Sequence, residues 1–328
     1  MKIIYTILAH NQPKLLKQLV EKLNSENVYF IIHIDKKIDI QPFLLPKEFD
    51  NVIYLCDNER ISTIWGDISC TNAVLNMFKK ANELLNNEEG YCVLLSGVDY
   101  PTKSNDYIKS FFNKEFPMDF YACHVIESKK KYSGFEKLCI NNFCNYWVSF
   151  ENTRFKLEIK PRRFIRPRCC SLKECFIIFP KILKKHFEIL HLFLFGSRKN
   201  PYYILQNNKE HKFCITSETW IALSSITVKK LVEFHDNNKV FFDRAKYIHC
   251  TEESLLQNIV YSFNTSRKDF LTDTKRKNGG ASVDLDDGDL DFIKSSINKE
   301  DKLFVRKLNE NNCEEIFSVL NGGINCLI

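Results

Sequence analysis

The sequence predicts an α/β fold, a mostly parallel central sheet flanked by helices, and three observations carry that expectation. Over the first 110 residues, short apolar runs alternate with amphipathic helical stretches in the order β-α-β-β-α-β. The connections are short, which favours parallel strands joined by helical crossovers. The run at 91–95 is apolar without alternation, as in a strand buried on both faces. It stops at Ser96-Gly97 and then presents Asp99, Tyr100 and Pro101. In open α/β sheets ligands sit beyond the carboxyl ends of such strands, so these residues fall where a site is expected.

Residues 3–8 read as the first strand. Asn11-Gln12-Pro13 then starts a helix with proline at an early position, and Leu15, Leu16, Leu19, Val20 and Leu23 share one face. Val28–Ile34 is a second strand, ending at Asp35, and 52–55 a third. Residues 69–85 form a helix with Ala73, Val74, Met77, Phe78 and Ala81 inward, and another helix is expected near 106–112. No strand is followed by G-x-G-x-x-G and no G-x-x-x-x-G-K occurs, so a phosphate-bearing ligand needs a different cradle.

The stretch 120–205 is irregular, basic and aromatic. Order returns over 213–224, and a helix over 225–236 follows with Ser225 as its cap. Residues 247–250 read as a short strand feeding Thr251-Glu252-Glu253, and a helix over 254–262 is expected to be capped by Thr251. The acidic run 284–289 lacks the full calcium-loop pattern and reads as a solvated turn. Residues 303–308 form a late element. The expected organisation is one domain over 1–308, with 120–205 as an insertion and 309–328 as a small tail.

A chain of 328 residues with 44% hydrophobic and 27% charged content can bury a substantial core. The opening residues and the segment 186–195 are too short for a membrane span, and no signal-peptide build is seen, so a cytoplasmic protein is expected. Among 13 cysteines only Cys169, Cys170 and Cys175 lie close together, which favours reduced thiols over a zinc site. The net charge of +6 is concentrated in 128–168, with Phe155 and Phe164 interleaved. That basic-aromatic stretch fits either a solvated insertion or peripheral membrane contact through 128–205. Nucleic acid is not expected as a partner.

Carboxylates and basic residues at strand ends suit acid/base work on a ligand with an anionic part. The series Ala9-His10-Asn11, His33-Ile34-Asp35, Arg60 with Trp65-Gly66, the run 95–101, Ser217 with Trp220, Thr251-Glu252-Glu253 and the run 303–307 with Arg306-Lys307 resembles, in order, the core-2/I-branching glycosyltransferase family. That family includes β-1,6-N-acetylglucosaminyltransferases and peptide O-xylosyltransferases. The resemblance implies a GT-A-like nucleotide-sugar-binding fold and an inverting transfer from a UDP-sugar donor to a glycan acceptor, most simply of GlcNAc, with no metal or other cofactor. It places Asp35 and His10 at the nucleotide, Arg306 and Lys307 at the diphosphate, and Glu253 as the base. Trp65, Asp99, Tyr100, Ser217, Trp220 and Glu252 are the implied substrate wall.

The residues alone do not separate Glu252 from Glu253, since both suit the first turn of a helix. Asp99 equally suits an Asx turn, His10 and His33 suit structural roles, and the tryptophans suit a core; of these two, Trp220 is the better sugar platform on sequence. The chain departs from its relatives where Gly-Ser-Gln-Trp is replaced by Thr216-Ser-Glu-Thr-Trp220. A second diphosphate arginine is also displaced, with Thr272 in its place and Lys275 or Arg276 as stand-ins. UDP-xylose as donor, or a non-catalytic glycan- or nucleotide-binding protein, are the alternatives.

Overall fold

Isoleucine, leucine and tyrosine fill Lys2–Ala9 so densely that both faces of this strand, β1, demand cover, and it lies at the centre of the main sheet. The computed structural model describes residues 1–126, 146–150, 153–157, 213–216, 218–277 and 282–322. After β1 come α1 (Pro13–Leu23), β2 (Val28–Ile34), β3 (Val52–Tyr54), α2 (Ile68–Leu85), β4 (Gly90–Ser96), β5 (Tyr100–Pro101), α3 (Asn105–Glu115) and β6 (Asp119–Tyr121). Strand β7 (His124–Ile126) pairs with β10 (Phe213–Ile215), and β8 (Tyr146–Phe150) with β9 (Thr153–Leu157), both antiparallel. The chain continues through β11 (Ile221–Ser224), α4 (Ser225–Asn237), α5 (Lys239–Ala245), α6 (Leu255–Ser262), β12 (Arg267–Lys268) and β13 (Thr272–Thr274). It closes with α7 (Leu290–Asn298), β14 (Phe304–Arg306) and α8 (Glu314–Gly322).

The main sheet has the order β12-β6-β11-β4-β1-β2-β3. All its pairings are parallel except those of β11, which runs against both β4 and β6. The two-residue period of a strand then divides the core. Ile3, Tyr5, Ile7 and Ala9 face one cluster with α1, α3, α7 and α8, while Ile4 faces the other with α2, α4, α5 and α6. A second sheet, β13-β14-β5, is a small clasp beside this edge.

The early elements fall within one to three residues of the expected bounds, because apolar periodicity fixes them. Four expectations need correction. Ser224, not Ser225, caps α4, its Oγ accepting from the Thr227 N–H at 3.4 Å. Residues 247–250 are not a strand but a turn after α5, a helix too short for its own periodic signal. Thr251 does not cap α6: its hydroxyl is engaged with Thr71 at 2.8 Å and with the Asp67 carbonyl at 3.3 Å, tying the chain to the start of α2. Residues 309–322 are not a loose tail. Ile316 and Leu320 of α8 are fully buried, and the Glu310 carboxylate accepts from the Lys14 and Leu15 N–H groups at 3.1 and 3.3 Å. Helix α1 has no side-chain cap of its own, so a glutamate almost 300 residues away in the chain satisfies its orphan donors.

The expectations for the basic insertion fall mostly outside the described residues. No helix among the described residues is long and apolar enough to cross a membrane. Replacing Ile316 by alanine should cost about 2–5 kcal/mol of stability in urea denaturation, as for a core aliphatic; a cost below about 0.5 kcal/mol would restore the reading of 309–328 as a small tail outside the domain.

Candidate active site at the carboxyl edge of the sheet

Strand register assembles the site. Ala9 of β1 pairs with Ile34 of β2, and Leu8 pairs with Ser96 of β4, so His10, Asp35 and Asp99 leave the sheet at one edge. Strand β11 is antiparallel to β4, with Ser224 opposite Tyr91, so Trp220 ahead of it stands at that same edge. In the clasp, Val305 pairs with Tyr100 and Thr274 with Arg306, which sets Arg306 against Asp99 and brings Arg276 alongside.

Asp99 is fully buried. Its carboxylate accepts from Ser96 N–H and Oγ–H at 2.8 and 2.7 Å, and lies 3.3 Å from Arg306 Nε as an ion pair without hydrogen-bond geometry. Burial pushes the Asp99 carboxyl up, and the Arg306 charge and the Ser96 hydrogen bonds work against that. The Arg306 guanidinium stacks 3.9 Å above the Trp220 ring. Planar stacking and ion pairing suit arginine, and together they fix this charge in place.

Beside this edge, Gly66 docks the Trp65 loop onto the Thr251–Glu253 turn. Gly66 has φ 72°, and a Cβ on it would fall 2.5 Å from the His249 ring, so only glycine fits. Its N–H donates to Glu252 Oε1 at 3.2 Å, and its carbonyl accepts from Cys250 N–H at 3.0 Å. Glu252 thereby becomes a buried structural carboxylate. Glu253, next in the chain, is half-buried and makes no side-chain hydrogen bond to a described residue. Burial, then the Glu252 and Glu218 charges, push its carboxyl up to about 7, with Arg276 opposing. The two glutamates, alike in sequence, differ in environment: Glu252 holds a hydrogen bond from Gly66, and Glu253 holds none among the described residues.

Glu218, not among the expected site residues, and Arg276, one of the two expected stand-ins for the displaced arginine, complete the cluster. Glu218 is 7% exposed and paired with the Arg276 guanidinium. Burial raises the Glu218 carboxyl, while Arg276, then Arg306 and Lys302, lower it. The charges of Glu253, Glu218, Arg276 and Arg306 therefore act on one another within a single locus. Such a set can take a proton near neutral pH while fixed cations face a departing anion.

The remaining expected residues divide. Asp35 is buried at the end of β2; burial raises its carboxyl, but hydrogen bonds from Thr63 Oγ–H and from the Lys37 and Thr63 N–H groups outweigh that and hold it low. The half-buried Cys70 thiol is pushed up by burial and then by the Glu252, Asp67 and Asp35 charges. Arg60 is a clamp, donating to the Ile34, Asp35 and Ile38 carbonyls at 2.9, 3.1 and 2.6 Å. His33 is structural too, its Nε2 accepting from Ile61 N–H at 2.9 Å. His10 is exposed at the edge, and Lys307 lies half-exposed beside Arg306 with Asp284 4.0 Å away.

Tyr100 is a correction. Its ring is buried against Phe317 and its hydroxyl donates to Asn321 at 3.2 Å, so the chain beyond Asp99 turns into the core. The preference between tryptophans also reverses. Trp220 is 6% exposed with one face taken by Arg306, whereas Trp65 is 72% exposed, its ring edge-on to His249 at 5.2 Å. Ser217 lies outside the described residues. The acidic run 284–289 serves as caps, with Asp286 in a capping box and Asp287 accepting from Ile316 N–H at 3.1 Å. Two cavities among the described residues, of about 670 and 280 Å³, lie away from this cluster, against α3 and β12 and between α2 and α5.

A family model described as Core-2/I-Branching enzyme matches residues 3–156. Human xylosyltransferase 2 is 27% identical over 145 residues, which is 42% of this chain and 16% of that protein. Rat xylosyltransferase 1 is 24% identical over 127 residues, 38% of this chain and 15% of that protein. The chain thus matches only a small part of the length of these relatives. A crystal structure of a putative glucose-1-phosphate thymidylyltransferase from Bacillus anthracis, in complex with a sucrose, aligns over 82% of this chain and 87% of that one at a TM-score of 0.32 and 9% identity. That likeness is too slight to carry an argument.

The raised Glu253 carboxyl has a stability consequence. A folded-state value near 7 against an ordinary 4.5 leaves that stability intact below about pH 4.5 and loses it as pH rises from there through about 7. Glu253→Gln, uncharged throughout, should therefore melt close to the parent at pH 4 and several degrees above it at pH 8. An equal difference at both pH values would show an unperturbed carboxyl.

Proposed function

We propose that this chain, whose residues 3–156 match the Core-2/I-Branching enzyme family model, is a glycosyltransferase that moves a sugar from a UDP-sugar to a glycan hydroxyl with inversion and without a metal ion. The observation that carries this reading is the half-buried Glu253 carboxylate, which has no side-chain hydrogen bond among the described residues and feels the Arg276 charge, with Arg306 coupled to the same Arg276 and Glu218. An inverting displacement needs a base on the face opposite the leaving group, and a carboxylate titrating near 7 is matched to that task. As the donor bond breaks, negative charge develops on the diphosphate, and fixed guanidinium groups with Lys307 stabilise it where other enzymes use a divalent cation. Arg276 takes the part of the displaced second arginine. Asp35 and His10 line the nucleotide side, and the open face of Trp65 is the platform for an apolar sugar face.

GlcNAc is the donor sugar in this reading, with a β-linkage as product. Xylose is the second reading, favoured by the xylosyltransferases among the relatives. A screen of UDP-GlcNAc, UDP-xylose and UDP-GalNAc by UDP release separates the two, and release from none with any glycan acceptor would favour a binding protein.

Glu253→Gln should lower transfer by at least about 10²-fold, as loss of a general base does, while UDP affinity stays within about twofold. Because the base must be ionised, kcat/KM should fall as pH drops through about 7. Transfer should persist in EDTA. An active Glu253→Gln variant would remove the base assignment, and complete loss in EDTA the metal-free one.

A further inference from the structure

Glu218 is a buried carboxylate whose backbone is held on both sides. Its N–H donates to Thr216 Oγ1 and its carbonyl accepts from Gln257 Nε2, both at 2.9 Å, and the residue is 7% exposed. A buried carboxylate requires a partner, and Arg276 supplies it by donating an Nη2 hydrogen to Oε1. The groups whose charges face Glu253 are Glu252, Glu218 and Arg276. Among them Arg276 is the positive one, and its guanidinium is turned to Glu218. Glu252 is committed to Gly66 N–H and does not draw it away.

Building on the reading of Glu253 as the base, we propose that Glu218 is a positioning residue: by occupying Arg276, its buried carboxylate keeps that guanidinium from closing onto Glu253, and so preserves Glu253 as a proton acceptor. An arginine paired directly with a carboxylate lowers its proton affinity by about 1–3 pH units and makes it a poor base at neutral pH. Glu218 therefore acts through Arg276, not on the substrate. The same contact fixes Arg276 where its charge acts on both Glu253 and Arg306, and in the proposed reading it serves the diphosphate from there.

The test is a carboxyl titration that needs no substrate. Full-length protein labelled with ¹³C at the glutamate carboxyl carbons is titrated by NMR as the parent, Glu218→Gln, Arg276→Gln and the double variant, with Glu253→Gln identifying the Glu253 signal. The parent midpoint is expected near 7. In Glu218→Gln it should fall by about one pH unit or more as Arg276 turns to Glu253. In the double variant it should rise again, since burial and Glu252 remain. A purely structural Glu218 leaves the midpoint where it was, and that result overturns the proposal. So does a double variant that titrates no higher than Glu218→Gln. If Glu218→Gln fails to fold, the parent decides: a midpoint near the ordinary 4.5 means that Arg276 already neutralises Glu253. UDP release from UDP-GlcNAc and UDP-xylose, measured on the same proteins, tests the base reading separately. If Glu253→Gln remains active, that reading fails whatever the titration shows.

Discussion

A guanidinium cannot shed its charge, so burying one obliges the fold to supply a partner, and much of this site follows from how that obligation is met at Arg306. Burial disfavours the Arg306 charge, while Asp99 and Glu218 support it. Asp99 is in turn pinned by Ser96 at the end of β4, and the ring beneath the guanidinium belongs to Trp220 at the start of β11. Removing either member of such a buried pair typically costs about 3–5 kcal/mol, which is why the three strands cannot drift apart. The charge is thereby fixed before any ligand arrives, the condition under which electrostatic stabilisation acts without reorganisation.

The opposite wall is built by a different device. Gly66 lets two backbones approach closely enough for Glu252 to be used up as a hydrogen-bond acceptor, and that frees its neighbour. Glu253 is then left half-buried among like charges, an arrangement that is unfavourable for folding above neutral pH and useful for accepting a proton. Four carboxylates (Asp99, Glu218, Glu252 and Glu253) and two arginines crowd this locus, with Lys302 and Lys307 at its margin, so the pairing pattern matters more than the net charge. Trp65 stands above the same loop with its ring in solvent, an exposure that a merely structural tryptophan rarely tolerates.

The framework was legible because apolar periodicity encodes it: β1, β2, β4 and α2 are read directly from spacing, and with them the edge where Asp35 and Asp99 emerge. Choosing Glu253 over Glu252 required resemblance, since two adjacent glutamates carry identical local signals; the Gly66 contact that separates them joins residues 186 apart in the chain. Glu218 and Arg276 were visible as residue types, but their pairing spans 58 residues and crosses from the main sheet to the clasp. Tyr100 misled because a loop aromatic beside a site resembles a ligand contact until α8, which carries Phe317 and Asn321, is seen to cover it. Helix α8 itself was hidden by its shortness and by the acidic turn before it.

Hydrogen exchange with UDP present locates the nucleotide on the fold without presuming a donor or acceptor. Slowed exchange should appear at 35–37, 218–220, 252–254, 274–276 and 304–307, the segments that register brings to the carboxyl edge of the sheet. Protection confined instead to the cavity against α3 and β12, around 107–120 and 268–271, would contradict the assignment of this edge as the site.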